Sequence, residues 1–246
     1  MKKITKTKIT IATIGYMPAG FDKKKLESYK SKIFSIDETI QNYALREDSN
    51  SFNWQFTDSQ LEEILPQEFD GDFLIAIVNV PLELNWYSRR LNNNRVVFTF
   101  HEIKEILNFS NIPLENVIFR LLYAYTLFYF RNERSFPRNT DATNFTHDET
   151  RGCLFDMNGN KMDVVHSCHR PIVCPDCVER SKKERVSNEV LELIKKEIKK
   201  IKKPLFSKIL DFIKKHPIWS LLISSIWAII LGIIGSYFPT LIFNVF

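Results

Sequence analysis

The chain has 246 residues, 44% of them hydrophobic and 26% charged, with a formal net charge of +5. That charge is uneven: residues 179–216 hold 13 Lys or Arg against 6 Asp or Glu, so everything upstream is slightly acidic, and residues 217–246 contain no Asp, Glu, Lys, Arg or His. The pattern excludes a repeat array, a long disordered tract, and any glycine-rich phosphate loop, Gly-x-Ser-x-Gly elbow or paired-aspartate metal motif.

The N-terminus, MKKITKTKITIATIGYM, is basic and then apolar. Thr10, Thr13 and Gly15 interrupt the apolar stretch and no small-x-small cleavage site follows, so residues 9–16 read as a strand and not as a signal peptide. Apolar spacing predicts an amphipathic helix over 23–34 and a short strand over 51–56. Thr57 is placed to cap a helix reading DSQLEEIL. FLIAIVNV, residues 73–80, is an almost unbroken apolar run rich in branched side chains, as expected of a strand covered on both faces. RVVFTF, residues 95–100, is a second firm strand. Helices are expected over 102–107 and 114–130. The latter carries Phe119, Tyr123, Tyr125, Phe128, Tyr129 and Phe130 around much of its circumference, which suits the centre of a core or, alternatively, a groove for a hydrophobic ligand. The fold class is therefore mixed α/β, a sheet with helices.

Past a polar loop at 131–143, residues 146–177 are rich in Cys and His and poor in apolar periodicity. All four cysteines, Cys153, Cys168, Cys174 and Cys177, lie here with His147, His166 and His169. The two-residue spacing of Cys174 and Cys177 lets both thiolates face one ion while turn amides support the sulfurs. A metal would hold a segment that lacks a core of its own. A redox pair would be expected near the start of a βαβ unit, and unligated buried thiols are the other alternative. The expected ligands of a structural zinc ion are Cys153, Cys174, Cys177 and either His147 or one of Cys168, His166 and His169.

Val186, Val190, Ile194, Ile198, Ile201 and Leu205 then form one apolar stripe on a lysine-rich helix that Pro204 should bend. Such a helix could attract acidic lipid head groups, or pair with a second copy to give a homo-oligomer. No aromatic residues interleave its lysines, so nucleic acid is not an expected partner. Residues 218–238, at about 1.5 Å of rise each, span about 30 Å, the thickness of a bilayer's hydrocarbon core. The expected organisation is an α/β domain at 1–178, a lysine-rich helical linker at 179–216 and a single membrane-spanning tail anchor at 217–246. The basic flank orients the N-terminal domain to the cytoplasm.

The run HDETRGCLFDMNGNKMDVVHSCHRPIVCPDC, residues 147–177, resembles the C-terminal zinc region of the archaemetzincins. That family ends its catalytic motif with His, then Cys, four residues and Cys, and closes downstream with Cys-x-x-Cys. Here His147 stands at the last histidine, Asp148 replaces the first cysteine, Cys153 falls at the second, and Cys174 and Cys177 form the closing pair. The resemblance implies a metzincin-like fold and a zinc site. It does not extend to the catalytic motif His-Glu-x-x-His-x-x-Gly-x-x-His. Counting back without gaps places Pro137, Arg138, Asp141 and Asn144 where two histidines, the glutamate and the glycine should stand, and Phe155 replaces the family's methionine, with Met157 two residues later. The helix over 114–130 has no histidine. His101-Glu102-Ile103-Lys104-Glu105 lacks the second histidine and reads as a helix start. The expectation is a catalytically degenerate, zinc-stabilised binding, sensor or effector module on a membrane anchor. An atypical zinc hydrolase using His147 with Asp141 or His101 is one alternative, and an oligomerising membrane scaffold is another.

Overall fold

The computed structural model describes residues 5–137 and 145–243. They divide into two compact units that part between Lys202 and Lys203.

The first unit is built on one sheet. Its strands are β1 (Thr7–Ile14), β2 (Phe34–Ile36), β3 (Gln41–Tyr43), β4 (Phe73–Val78), β5 (Ser88–Leu91) and β6 (Arg95–Thr99). The order is β2-β1-β4-β6-β5, with β3 following β2 along the same edge of β1. All pairings are parallel except that of β5 with β6. β4 is central and every one of its residues is buried, as its unbroken apolar run requires. Because side chains alternate along a strand, Phe73, Ile75 and Ile77 enter the larger core while Ala76 and Val78 enter a smaller one on the opposite face.

Helices α1 (Lys23–Glu27), α2 (Asp58–Ile64), α3 (Ile103–Phe109) and α4 (Glu115–Arg131) cover this sheet. Thr57 caps α2, its hydroxyl accepting from the Gln60 amide at 3.3 Å. Every residue of α4 from Glu115 to Tyr129 is buried, so the aromatic helix is the centre of the large core. Burying each large apolar side chain is worth about 1.5–3 kcal/mol, which makes α4 the main packing element.

Two expected elements differ. The helix expected over 23–34 stops after Glu27, and the chain re-enters the sheet as β2. The Ser31 hydroxyl accepts the Ile33 amide at 3.0 Å, and this local turn aims Phe34 into the core instead of letting the helix run on. The segment expected as a strand at 51–56 contains a tight turn, Phe52–Trp54, with Asn53 and Trp54 at positive φ; only Phe56 pairs, with Leu82.

α5 (Val164–Ser167), α6 (Pro175–Lys183) and α7 (Asn188–Glu197) complete the first unit. Of the stretch expected as a lysine-rich helical linker over 179–216, the part up to Lys202 lies in the first unit. Val186, Val190, Ile194, Ile198 and Ile201 are all buried there, so this stripe is covered by the domain and is not open for a coiled coil. The buried Glu197 carboxylate anchors it, accepting from Ser31 Oγ at 2.6 Å, the Lys32 amide at 2.9 Å and Tyr123 Oη at 2.7 Å.

The second unit contains α8 (Leu205–Lys215) and α9 (Pro217–Phe243). α9 is 27 residues, about 40 Å at about 1.5 Å per residue, and its stretch Pro217–Gly235 is long and apolar enough to cross a membrane, with none of it buried. α8 is amphipathic: Leu205, Phe206, Ile209, Phe212 and Ile213 form an exposed apolar face.

Candidate metal centre

Two lengths of chain converge beyond the end of α4. In the first, the His147 amide donates to the Phe155 carbonyl and the Met157 amide to the His147 carbonyl, both at 3.0 Å, folding residues 147–157 into a tight loop. The Asp156 carboxylate lies inside it and accepts the amides of Cys153 at 2.9 Å and Arg151 at 3.1 Å. Gly152 sits at φ +71°, and a Cβ there would lie 3.1 Å from the His166 carbonyl oxygen, so the turn that presents Cys153 needs glycine. In the second length, the Ile172 amide donates to the Gly152 carbonyl and the Leu154 amide to the Ile172 carbonyl, each at 2.9 Å. This pairing delivers Cys174 to the N-cap of α6, with Pro175 opening the helix and Cys177 in its first turn.

The result is a cluster of His147, Cys153, Cys174 and Cys177 whose ligand atoms all lie within 4.8 Å of one another. The three thiols are buried and the imidazole nearly so. Tetrahedral zinc, with Zn–S of about 2.3 Å, sets sulfurs about 3.8 Å apart. The His147 Nε2 to Cys174 Sγ separation, 3.6 Å, already suits that arrangement. Three sulfurs and one imidazole form a zinc donor set, and the cluster could hold such an ion. His147 Nδ1 lies 2.9 Å from the Glu149 carbonyl, so its N–H is donated there and Nε2 is left as an acceptor facing the sulfurs.

Charges around the cluster favour thiolates. The Cys174 amide points at Cys153 Sγ, 3.4 Å away, and the positive end of α6 faces the same place. The hydrogen bond from Cys177 holds the Cys153 thiol well below the ordinary range and pushes that of Cys177 upward. Arg151 lies over the rim, 3.8 Å from Cys174 Sγ, and its ion pairs with Asp176 and Glu149 fix it there. Those pairs raise its already high pKa.

The alternatives for the fourth position separate clearly. Cys168 is fully buried elsewhere, and burial pushes its thiol up to about 12. His166 is exposed, and neither it nor His169 joins the cluster. His101 is also outside it: Glu102 turns away to Lys161, 2.8 Å distant, and that hydrogen bond holds its carboxyl below the usual range. Pro137 uses its carbonyl to accept from Arg90 at 3.1 Å, while Arg138, Asp141 and Asn144 lie outside the described residues.

Next to this centre is a cavity of about 230 Å³ that the sequence did not disclose. The face of α4 lining it carries Arg120, Leu121 and Ala124. Arg120 is 1% exposed. It donates to Tyr87 Oη at 3.1 Å and to the Asp156 carbonyl at 2.7 Å.

No family model matches the chain, and no curated protein does. Two solved structures are similar to it. One is an archaemetzincin from Methanopyrus kandleri, 12% identical over 73% of this chain and 95% of that one, with a TM-score of 0.46. The other is an archaemetzincin from Archaeoglobus fulgidus complexed with malonate, 14% identical over 70% of this chain and 99% of that one, with a TM-score of 0.37.

Proposed function

We propose that this protein is a membrane-anchored, zinc-stabilised module with a degenerate metzincin-like domain, which binds a ligand or partner and hydrolyses nothing. The observation that carries the reading is the ligand count at the cluster. His147, Cys153, Cys174 and Cys177 would fill all four positions of a zinc ion, as in structural sites; catalytic zinc keeps one position for water. Bound zinc would supply folding energy to residues 147–177, where apparent values in small zinc modules are about 10–16 kcal/mol. At the α4 face beside it, Arg120, Leu121 and Ala124 offer neither metal ligand nor general base, which supports loss of the hydrolytic centre.

On this reading α9 spans the bilayer once, and the basic residues ahead of it hold the α/β unit on the cytoplasmic side. α8 lies in the interface, with its apolar face among acyl chains and Lys208, Lys214 and Lys215 among acidic head groups. The domain would then act at the membrane surface as a sensor or effector.

The test is metal stoichiometry with activity on the purified full chain. The reading expects one zinc per chain and no cleavage of a mixed peptide library. A second zinc, together with cleavage that a chelator abolishes, would overturn it.

A further inference from the structure

Separate stretches of the first unit carry exposed basic side chains to one edge. Buried Glu197 draws the turn before β2 against α7, since it accepts from Ser31 and from the Lys32 amide. The Thr7 amide donates to the Ile33 carbonyl at 3.1 Å, and the Arg170 amide to the Ile201 carbonyl at 2.6 Å. Lys6, Lys30, Lys32 and Arg170 are exposed at these junctions, beside exposed Lys196, Lys199, Lys200 and Lys202. Among the described residues, none of these side chains makes an ion pair. Exposed acids at the margin are already matched, Asp70 by Lys8 and Glu192 by Lys195, and Glu189 sits at the far end of α7. Surfaces ordinarily intersperse the two signs of charge. The dipole of α7 accounts for basic residues in its own last turn, but not for those that β1, the turn before β2 and residue 170 contribute.

Connectivity says what covers this edge. The chain leaves the first unit at Lys202, within the patch, and α9 begins at Pro217. Residues 203–216 reach about 50 Å even when fully extended. Any bilayer that α9 enters is therefore held near the patch at high effective concentration, so weak attraction by several lysines suffices. We infer that this basic edge of the α/β unit docks on an acidic bilayer, with Lys6, Lys30, Lys32, Lys196, Lys200 and Arg170 against lipid head groups. Single-stranded nucleic acid fits less well: Tyr29, the aromatic beside Lys30, is already stacked on Phe119, which leaves bases no platform there. The inference goes beyond the interfacial placement of α8 by fixing which face of the domain meets the membrane. It rests on the anchoring role proposed above, and the two fail separately, because anchoring is read in disc incorporation and docking in the relaxation ratio described next.

Full-length protein with methyl-labelled isoleucine is placed in nanodiscs of phosphatidylcholine, alone or with about 30% phosphatidylserine, each doped with a gadolinium-headgroup lipid. Ile33, Ile198 and Ile201 lie under the patch, whereas Ile14 and Ile77 lie toward the other end of the sheet. At about 3.3 Å per residue, β1 sets its two ends about 23 Å apart, enough to separate their paramagnetic relaxation. The ratio of enhancement at the first three methyls to that at Ile14 and Ile77 should be at least threefold higher in acidic discs than in neutral ones. Combining Lys32→Glu, Lys196→Glu and Lys200→Glu should abolish that difference, as should 1 M salt, where the screening length is about 3 Å. If the triple variant does not fold, lipid composition and salt still decide in the natural protein. A ratio equal in both compositions, or larger enhancement at Ile14 and Ile77, would overturn the inference and leave the anchor intact. A chain that does not enter the discs would overturn both. Saturable binding of a single-stranded RNA oligonucleotide to this edge, without a response to acidic lipid, would assign it to nucleic acid and also overturn the inference.

Discussion

The Tyr123 hydroxyl donates to the Glu197 carboxylate at 2.7 Å, joining the middle of α4 to α7 across 74 residues of sequence. Ser31 and the Lys32 amide donate to the same carboxylate, so one buried acid ties the central helix, the turn before β2 and the lysine-bearing helix together.

Glu197→Ala leaves those three donors without an acceptor. Each unsatisfied buried group costs about 1–3 kcal/mol, so the variant should lose at least about 3 kcal/mol. Glu197→Gln keeps one acceptor oxygen and should lose less. Urea unfolding of the full chain in detergent, followed by circular dichroism, measures both. An alanine variant as stable as the natural protein would show that α7 is not anchored this way.

A second expectation concerns alkaline pH. Burial raises the Cys168 thiol to about 12, against about 8.5 in an unfolded chain. A raised folded-state value means the stabilising proton is fully held below pH 8.5 and its contribution is lost as pH climbs toward 12. Between pH 8 and pH 10 the natural protein should lose about 2 kcal/mol that Cys168→Ala does not lose, at about 1.4 kcal/mol per pH unit. Parallel unfolding curves at the two pH values test this. Equal losses in both proteins would contradict burial of the thiol.

Much of this fold was legible because its central elements obey simple periodicities. β4 and β6 announce themselves by unbroken apolar runs, α4 by its aromatics, and α2 by Thr57. The edge strands β2, β3 and β5 did not, because each is only three or four residues long, too short to show a period, and β3 and β5 are mostly polar. Leu26, Ile33 and Phe34 are all buried, yet a turn separates them, and helix-like spacing cannot distinguish that arrangement from one continuous helix. At the metal centre, the Cys174–Cys177 spacing pointed to the site. Which residue faces the three sulfurs depends on the pairing of His147 with Phe155 and Met157, a contact that no spacing rule encodes. Arg120 and Glu197 were missed for a common reason: a charge in a sequence reads as surface until its surroundings are known.

α8 offers a third expectation. If its five apolar residues lie among acyl chains, hydrogen exchange of residues 205–215 should be slowed in vesicles containing acidic lipid. Phe206→Asp with Phe212→Asp should restore fast exchange there, by at least tenfold, without releasing the chain from the membrane fraction. Unchanged exchange rates would remove α8 from the interface.

Metal analysis of the full chain, purified without denaturant, bears on the largest part of this reading. One zinc per chain is expected in the natural protein and in Cys168→Ala, and none in Cys174→Ser with Cys177→Ser, whose residues 147–177 should become protease-sensitive while α9 still partitions with membranes. A folded natural protein that contains no transition metal, or a double variant that keeps its zinc, would contradict the site and the binding role built on it.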